Sequence, residues 1–509
     1  MPHSFLPYKK PLLAGALLCI VLVVFYPCVT SFFHSDDLDQ LWFVSKDGPL
    51  GIWKNTPQDY FRPLVSISLW AEWKIWGLNP SGYHVTHCLL HIVNCLLLYF
   101  LGRRLAFSET ASAIASLLFL VLPGHSEAVA WIGDRAGLWA TFFTLVSLNS
   151  FFAARRGSRQ GEVVLVIGCV LGFLAKEAAI LLPAFLAVFN AMRPGTDGSP
   201  LKRRGIRWVF GLLLLIPLYF LARWFYVGSL LGGPGGSPRI SAFYIGWGLL
   251  RALPATLCPM TTSSLAFALA ALVLLIGGVW VFLRAERDVR RDVLYLLLAF
   301  YVAVLPASWV SLSPPLWGYD TRVLYLPSVF ACLALARLLE TLRFARVIAT
   351  GLFLLFAVQS FVIFQQWNKA GVWVKEGLAT MASFPDCRRR IVLVAPDIRY
   401  PAYVFRRGMA SGLRLFHKDA PPEIVPLALT VFYTDRDRVE ITPETDGVSV
   451  ALHYATPAIK RTPAMGAKTG LPLTLKTSNP PSFHLTLPKS RPGDQIIYFS
   501  EGRFRVWNP

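Results

Sequence analysis

The stretch FFHSDDLDQLW, residues 32–42, sets three carboxylates, Asp36, Asp37 and Asp39, directly after a long apolar run. A carboxylate at a water–membrane boundary can accept the proton of an attacking hydroxyl, so this cluster could hold a general base. The plainer alternative is the solvated end of a helix. Other candidates recur along the chain: Arg62 in YFRPL, Glu127, Asp134 and Arg135 in GHSEAVAWIGDRAG, Lys176 and Glu177 in LAKEAA, and Asp320 and Arg322 in YDTRV. Arginine's planar fork can bind two phosphate oxygens at once, and a cation in a partly desolvated cleft stabilises phosphate charge more than it would in water. GYHVTHCLLHIVN adds His84, His87, His91 and Asn94, which share one stripe about 80° wide on a helix. His87 and His91 have the i, i+4 spacing of a metal pair. The stripe could equally be satisfied inside a bundle, and His84 at its end could touch phosphate or substrate.

The elements that must position these groups are membrane helices. Of the 509 residues 55% are hydrophobic and only 15% charged, against about 25% charged in an ordinary soluble protein. The apolar run at 11–33 follows Lys9 and Lys10 and is longer than the roughly 7–15 residues of a secretory h-region, so it reads as an uncleaved first span. The net charge of +20 fits basic loops held in the cytoplasm better than a nucleic-acid partner. The eight cysteines are scattered and form no CxxC or zinc spacing, and Cys387 is alone in the polar C-terminal region, which therefore holds no internal disulfide.

Placing each Lys/Arg cluster inside threads about eleven spans, with the N-terminus cytoplasmic and the C-terminus exported. The first exported loop is 34–83. Residues 163–190 become two short arms hinged at Lys176–Glu177, because one long helix would put Lys202, Arg203, Arg204 and Arg207 outside. Each arm reaches roughly 20 Å against a hydrocarbon core of about 30 Å, so the Lys–Glu apex is expected below the outer surface. Residues 242–262, interrupted by Arg251, Pro254 and Pro259, read as an amphipathic or re-entrant segment. Under this threading every unusual polar group faces the exported side. The other side shows no P-loop and no GxGxxG, which argues against a cytoplasmic nucleotide site.

Past residue 366 the pattern changes. Residues 367–384 read as an interfacial linker helix. Residues 385–509 carry short strand-like runs, RIVLVAPD, PLALTVFY, GVSVALHY, FHLTLP and DQIIYF, between turn residues, and read as an exported, mostly β domain. The excess of basic residues there favours anionic membrane lipids. The expected fold is thus a mainly α polytopic membrane protein of about eleven helices, residues 1–366, with a small β-rich exported domain.

FHSDDLDQLW, YFRPLVSISLWAEWKIWGLNPSGYHVTHCLLHIVN, GHSEAVAWIGDRAGLWATFF, LAKEAAILLP and TRVLYLPSVF occur in this order. The series resembles the polytopic GT-C glycosyltransferases, in particular the protein O-mannosyltransferase-like branch that includes the transmembrane-and-tetratricopeptide proteins. The resemblance spans roughly residues 10 to 370 and does not extend to the tetratricopeptide repeats. It implies a sugar donor on a polyprenyl or dolichyl phosphate and inverting transfer to an exported acceptor, whether protein, lipid or polysaccharide. It also implies that the catalytic carboxylate falls on the Asp36–Asp37 pair, with Asp36 as base and Asp37 orienting it or holding a metal. Arg62, Arg135 and Lys176, with Arg322 and His84, are then expected at the donor phosphate, and Glu127 and Glu177 at these cations or the sugar hydroxyls. No cofactor is indicated outright; a divalent metal on Asp37, His87 and His91 is an open alternative. One motif departs: the family often reads Gly-Arg-Ala-Asp where this chain reads Asp134-Arg135-Ala136-Gly137. The rival expectations are a lipid-linked sugar flippase and a catalytically decayed membrane assembly protein.

Overall fold

A computed structural model describes residues 9–55, 60–193, 200–228, 242–257, 264–307, 321–383, 389–399, 402–405, 408–417, 423–432, 435–444, 447–453, 473–476, 482–486 and 494–507. Asp320, Cys387 and most of the Gly/Pro-rich loop after residue 228 lie outside these residues.

The first helices are α1 (Lys9–Val29), α2 (Asp36–Asp47), α3 (Gly51–Asn55), α4 (Pro63–Trp76), α5 (Pro80–Arg104), α6 (Glu109–Leu120), α7 (Ser126–Ala130), α8 (Arg135–Arg155) and α9 (Arg159–Ala175). There follow α10 (Leu182–Met192), α11 (Pro200–Leu213), α12 (Leu215–Val227), α13 (Ala242–Leu257), α14 (Ser264–Arg284), α15 (Arg287–Val304), α16 (Tyr325–Leu339), α17 (Ala345–Ala382) and α18 (Met409–Phe416). Local chemistry sets several boundaries. Ser108 and Ser158 cap α6 and α9 by accepting the amides of Ala111 and Gly161 at 3.1 and 3.2 Å. Pro183 opens α10, where a missing N–H costs nothing.

Five stretches, Pro80–Arg104, Ile132–Arg155, Pro200–Val227, Thr321–Leu339 and Ala345–Ala382, are long and apolar enough to cross a membrane, and α6 with Pro123–Ala130 makes a sixth, bent by 50°. Leu269, Leu272, Val273, Ile276 and Leu283 on α14 are exposed, as lipid-facing side chains are. The chain is a multi-pass membrane protein. In place of one long helix over 163–190, α9 ends at Ala175, Lys176 is extended (φ −160°, ψ 143°), and a 3-10 turn at Glu177–Leu181 leads into α10. Residues 367–382, expected as a linker helix, are helical but form the C-terminal part of α17, which runs unbroken for 38 residues.

The chain divides into two compact units. The first holds residues 1–29, 47–72 and 82–364. Small residues let its helices approach: a Cβ on Gly168 of α9 would lie 2.4 Å from Ser147 Oγ of α8. Asp292 of α15, almost wholly buried, accepts both forks of Arg193 (2.6 and 2.8 Å) and Arg337 of α16 (3.3 Å), tying three helices together.

The second unit holds residues 30–46, 73–81 and 365–509. The stretch after α1 is therefore shared: the acidic motif belongs with the C-terminal residues, and 47–72 with the helical bundle. Among the described residues nine strands occur here, β1 (Arg389–Arg399), β2 (Ala402–Tyr403), β3 (Glu423–Phe432), β4 (Arg438–Glu444), β5 (Gly447–His453), β6 (Leu473–Lys476), β7 (Ser482–Thr486), β8 (Asp494–Ser500) and β9 (Arg503–Val506). The runs RIVLVAPD, PLALTVFY, GVSVALHY, FHLTLP and DQIIYF fall on β1, β3, β5, β7 and β8. One sheet centres on β1, parallel to β3 (Ile391 opposite Val425) and to β8 (Ile391 opposite Ile496), with β2 and β9 antiparallel at its edges. Parallel neighbours need crossover connections, and α18 lies in the one between β2 and β3. The other sheet is an antiparallel β4-β5-β7-β6.

Candidate active site

In the first unit the ionisable candidates gather where helices break. Lys176, at the end of α9, donates to Asp134 Oδ1 at 3.1 Å. Its neighbour Glu177 receives Arg62 through Nε (3.1 Å) and Nη2 (2.7 Å), and Arg223 of α12 stands 3.7 Å from its other oxygen. Arg62 also lies over the Tyr60 ring, 3.9 Å from its centroid. Burial pulls the Arg62 guanidinium down, but the charge and hydrogen bonds of Glu177, with Tyr60 and Asp134, together outweigh it, and the net displacement is upward, so the group stays charged.

Arg135 opens α8 and is fully buried. Both forks meet Glu72 of α4, Nη1 to Oε1 and Nη2 to Oε2, each at 3.1 Å, and Nε faces the Ile132 carbonyl. Buried Glu127 accepts the backbone amide of Arg322 at 3.0 Å and also its guanidinium, which lies over Trp131. Exposure separates these cations by what they can reach. The side chains of Arg62, Lys176 and Arg322 keep 21%, 17% and 22% of their surface open, whereas Arg135 keeps 1%. A ligand phosphate can meet the first three. Arg135 is committed to Glu72.

The histidine stripe lines the buried face of α5. His91 is held at both nitrogens, by Tyr325 OH (2.7 Å) and the Leu120 carbonyl (3.0 Å), and Asn94 donates to the same hydroxyl and to the Leu138 carbonyl. His87 Nδ1 faces the Val129 carbonyl at 3.3 Å, and His84 Nδ1 lies 4.0 Å from Cys28 Sγ. Among the described residues no three His, Cys, Asp or Glu side chains converge as a metal site. The metal pairing considered for His87 and His91 does not form, because His91 has no ring nitrogen left for a metal.

Two groups of this network escaped sequence reasoning. Arg223 is conspicuous as a charge in an otherwise apolar span, but its approach to Glu177 cannot be read from spacing. Glu72 carried a signal: Val65, Leu69 and Glu72 recur at helical spacing on the buried face of α4, so an acid occupies a position where an apolar residue is due.

In the second unit the acids open α2, where negative charge suits the helix N-terminus. They are not equivalent. Asp37 is buried and accepts the His34 amide at 2.9 Å, while its own amide donates back to the His34 carbonyl. Asp39 is not simply solvated: it accepts the Ser411 hydroxyl at 2.5 Å. Asp36 is half-buried and receives the Ser35 hydroxyl on Oδ1 (2.9 Å); among the described residues Oδ2 has no hydrogen-bond partner.

No protein-family model matches the chain. Among known proteins, the Caenorhabditis elegans protein O-mannosyl-transferase F38B6.6 is 27% identical over 342 residues, covering 62% of this chain and 47% of that protein. The mouse protein O-mannosyl-transferase TMTC4 is 25% identical over 458 residues, 72% of this chain and 61% of its own. The Drosophila melanogaster protein O-mannosyl-transferase Tmtc2 reaches 34% over 152 residues, 28% of this chain and 16% of its own. The chain is similar to the protein O-mannosyl-transferases. It spans about half the length of the curated relatives it matches. Among solved structures, ArnT from Cupriavidus metallidurans bound to undecaprenyl phosphate overlays with a TM-score of 0.47 at 12% identity, over 89% of this chain and 100% of that one. The Archaeoglobus fulgidus oligosaccharyltransferase in complex with Zn and sulfate overlays with a TM-score of 0.43 at 14% identity, over 81% of this chain and 62% of that one. These overlays are too loose to carry an argument, and the likeness rests on sequence.

The resemblance gives the inverted motif Asp134-Arg135-Ala136-Gly137 a physical reading. Asp134 sits at the N-cap position of α8 without a side-chain capping bond, and Gly137 lies one turn on, on the same side. A Cβ on Gly137 would lie 2.8 Å from Asp134 Oδ2 and 3.3 Å from Lys176 Nζ. A carboxylate at either position therefore reaches the same ammonium. Asp134→Gly alone should strand Lys176 and cost about 1–3 kcal/mol, and Gly137→Asp alone should crowd a second carboxylate against the first. The double exchange should melt closer to wild type than either single variant. Additive losses in thermal unfolding would show that the two positions do not share a role.

Proposed function

We propose that this protein is a glycosyltransferase that moves a sugar from a polyprenyl-phosphate carrier to an acceptor on the exported side of the membrane, with inversion at the anomeric carbon. The observation that carries this reading is the group of partly open cations, Lys176 and Arg62, held by carboxylates at the break between two apolar helices. A lipid phosphate whose tail stays in the bilayer needs cations of that kind, fixed in an apolar setting where their field is strong. The sequence likeness to protein O-mannosyl-transferases supports the same reaction class.

In this reading the acceptor hydroxyl gives its proton to Asp36 as its oxygen attacks the anomeric carbon. The bond from that carbon to the phosphate oxygen breaks, and the lipid phosphate leaves with the electron pair. Lys176, Arg62 and Arg322 stabilise the departing charge, while Asp134, Glu177 and Glu127 aim them. Asp37 fixes the turn that presents Asp36. The membrane domain, residues 1–366, crosses about eleven times from a cytoplasmic N-terminus, residues 385–509 are exported, and a bacterial inner membrane suits the short loops.

The test uses the full chain in proteoliposomes with polyprenyl phosphates carrying radiolabelled mannose, glucose, galactose or N-acetylglucosamine. Consumption of at least one donor is expected. Translocation without cleavage would point to a flippase, and inertness to all four would overturn the reading. Lys176→Met should raise the donor KM by roughly 10–100-fold, the size of a lost charge-assisted hydrogen bond of about 1.5–3 kcal/mol, and leave the acceptor KM nearly unchanged. Equal losses for both substrates would reduce Lys176 to a structural role.

A further inference from the structure

We propose that α18, with the glycine before it, is a positioning platform for the acidic motif: it fixes the backbone on both sides of Asp36 and leaves the Asp36 carboxylate available. This inference rests on the reading of Asp36 as general base. It gives the C-terminal residues a part in catalysis that nothing in their own sequence suggested.

The contacts come from one short stretch of chain, Val404 and the segment from Gly408 into the first turn of α18. Ser35 donates its amide to the Val404 carbonyl at 3.0 Å, a bond between residues far apart in the chain. Gly408 adopts φ +83°, and a Cβ there would lie 2.2 Å from the Ser35 carbonyl oxygen, so both the backbone conformation and the contact require glycine. One turn on, Ser411 donates to Asp39 at 2.5 Å. Next to it, a Cβ on Gly412 would come within 2.9 Å of Leu38. Residues 408, 411 and 412 fall on one side of a helix, and that side is shaped to residues 35–39.

The motif itself shows that it is held. Ser35, immediately before Asp36, has φ +42°, one of three non-glycine residues with positive φ among those described. Such a conformation costs about 1–3 kcal/mol and persists only where the surroundings over-determine it. Here the Val404 carbonyl fixes one end of the Ser35 peptide and the close approach of Gly408 fixes the other. On the other flank, His34 stands edge-on to Trp367 of α17 with ring centroids 5.0 Å apart, and Ser31 bonds His34 Nε2 at 2.9 Å. None of these groups bonds the Asp36 carboxylate, whose one partner among the described residues is the Ser35 hydroxyl. Residues 35, 37, 38 and 39 are anchored while the acid between them is left to work, as a base that must meet a mobile acceptor requires.

The platform is tested in the full chain with Ser411→Ala, which removes one hydrogen bond, Ser411→Thr, which keeps a hydroxyl, and Gly408→Ala, which drives a methyl against Ser35. Amide hydrogen exchange over residues 34–41 and the kcat and donor KM for radiolabelled mannosyl-phosphoryl-undecaprenol are read together. Ser411→Ala should speed exchange at 35–39 and lower kcat, each by about 10-fold, the worth of one hydrogen bond to a charged group. Donor KM should stay within about twofold, because the cations that would hold the phosphate are unchanged. Ser411→Thr should stay near wild type, and Gly408→Ala should exceed Ser411→Ala in both readouts. Unchanged exchange in both Ser411→Ala and Gly408→Ala overturns the proposal, as does faster exchange with unchanged kcat or a loss shared equally by kcat and donor KM. Asp36→Asn in the same assay separates the two layers. If it turns over normally, the functional reading has failed; if it is dead while Ser411→Ala is normal, only the platform has.

Discussion

Asp36→Asn is expected to lower sugar transfer by about 10²–10⁴-fold, the usual contribution of a positioned general base, in a protein that still folds. Asparagine matches aspartate in shape and can accept the Ser35 hydroxyl, so the turn into α2 survives. The lost charge at the helix N-terminus costs only about 0.3–1 kcal/mol. What disappears is the ability to take a proton. Asp37→Asn should behave differently, since Asp37 is buried and accepts the His34 amide. Weakening that cap should cost about 1 kcal/mol of stability and reduce the rate only through the loosened turn. Donor-dependent transfer and thermal unfolding of both variants check the contrast. Wild-type turnover in a folded Asp36→Asn protein would remove Asp36 from the mechanism.

The largest stability effect is expected at Glu72. Its carboxylate and the Arg135 guanidinium form two parallel bonds of 3.1 Å with almost no exposure on either side chain. Glu72→Ala leaves a buried guanidinium uncompensated, at about 3–5 kcal/mol. That is a large share of the roughly 5–15 kcal/mol by which folded proteins exceed their unfolded states, so little folded protein should accumulate. Replacing the two residues together, Glu72→Leu with Arg135→Met, should restore much of the yield, because a buried ion pair exchanged for apolar side chains of similar volume is often neutral. The double variant also tests Arg135. With its fork committed to Glu72, donor KM should match wild type, whereas loss of donor binding in a stable double variant would return Arg135 to the phosphate site.

What the sequence disclosed follows from which forces are local. The break at Lys176 was legible because arm length and loop charge depend only on nearby residues. The acidic motif stood out for the same reason: three carboxylates after an apolar run are conspicuous whatever they touch. The continuity of α17 was missed because Gln365, Gln366, Asn368 and Lys369 interrupt the apolar run. Its buried residues Trp367, Ala370, Val374, Leu378 and Met381 still keep a helical period, so the periodicity was a better guide than the mean hydropathy. Partner choice was hidden altogether. Glu127 meets Arg322 rather than its sequence neighbour Arg135, and Asp39 meets Ser411, pairings that only the assembled chain defines.

The bond between Asp39 and Ser411 joins residues 372 positions apart. At a synthesis rate of about 5–20 residues per second, the ribosome makes Asp39 roughly 20–70 s before its partner exists. Through that interval the nascent chain carries the acids without the surface that orders them. A growing chain that has not reached Ser411 would thus hold the carboxylate proposed as base in a poorly aimed state, and synthesis past residue 411 would act as an activation step.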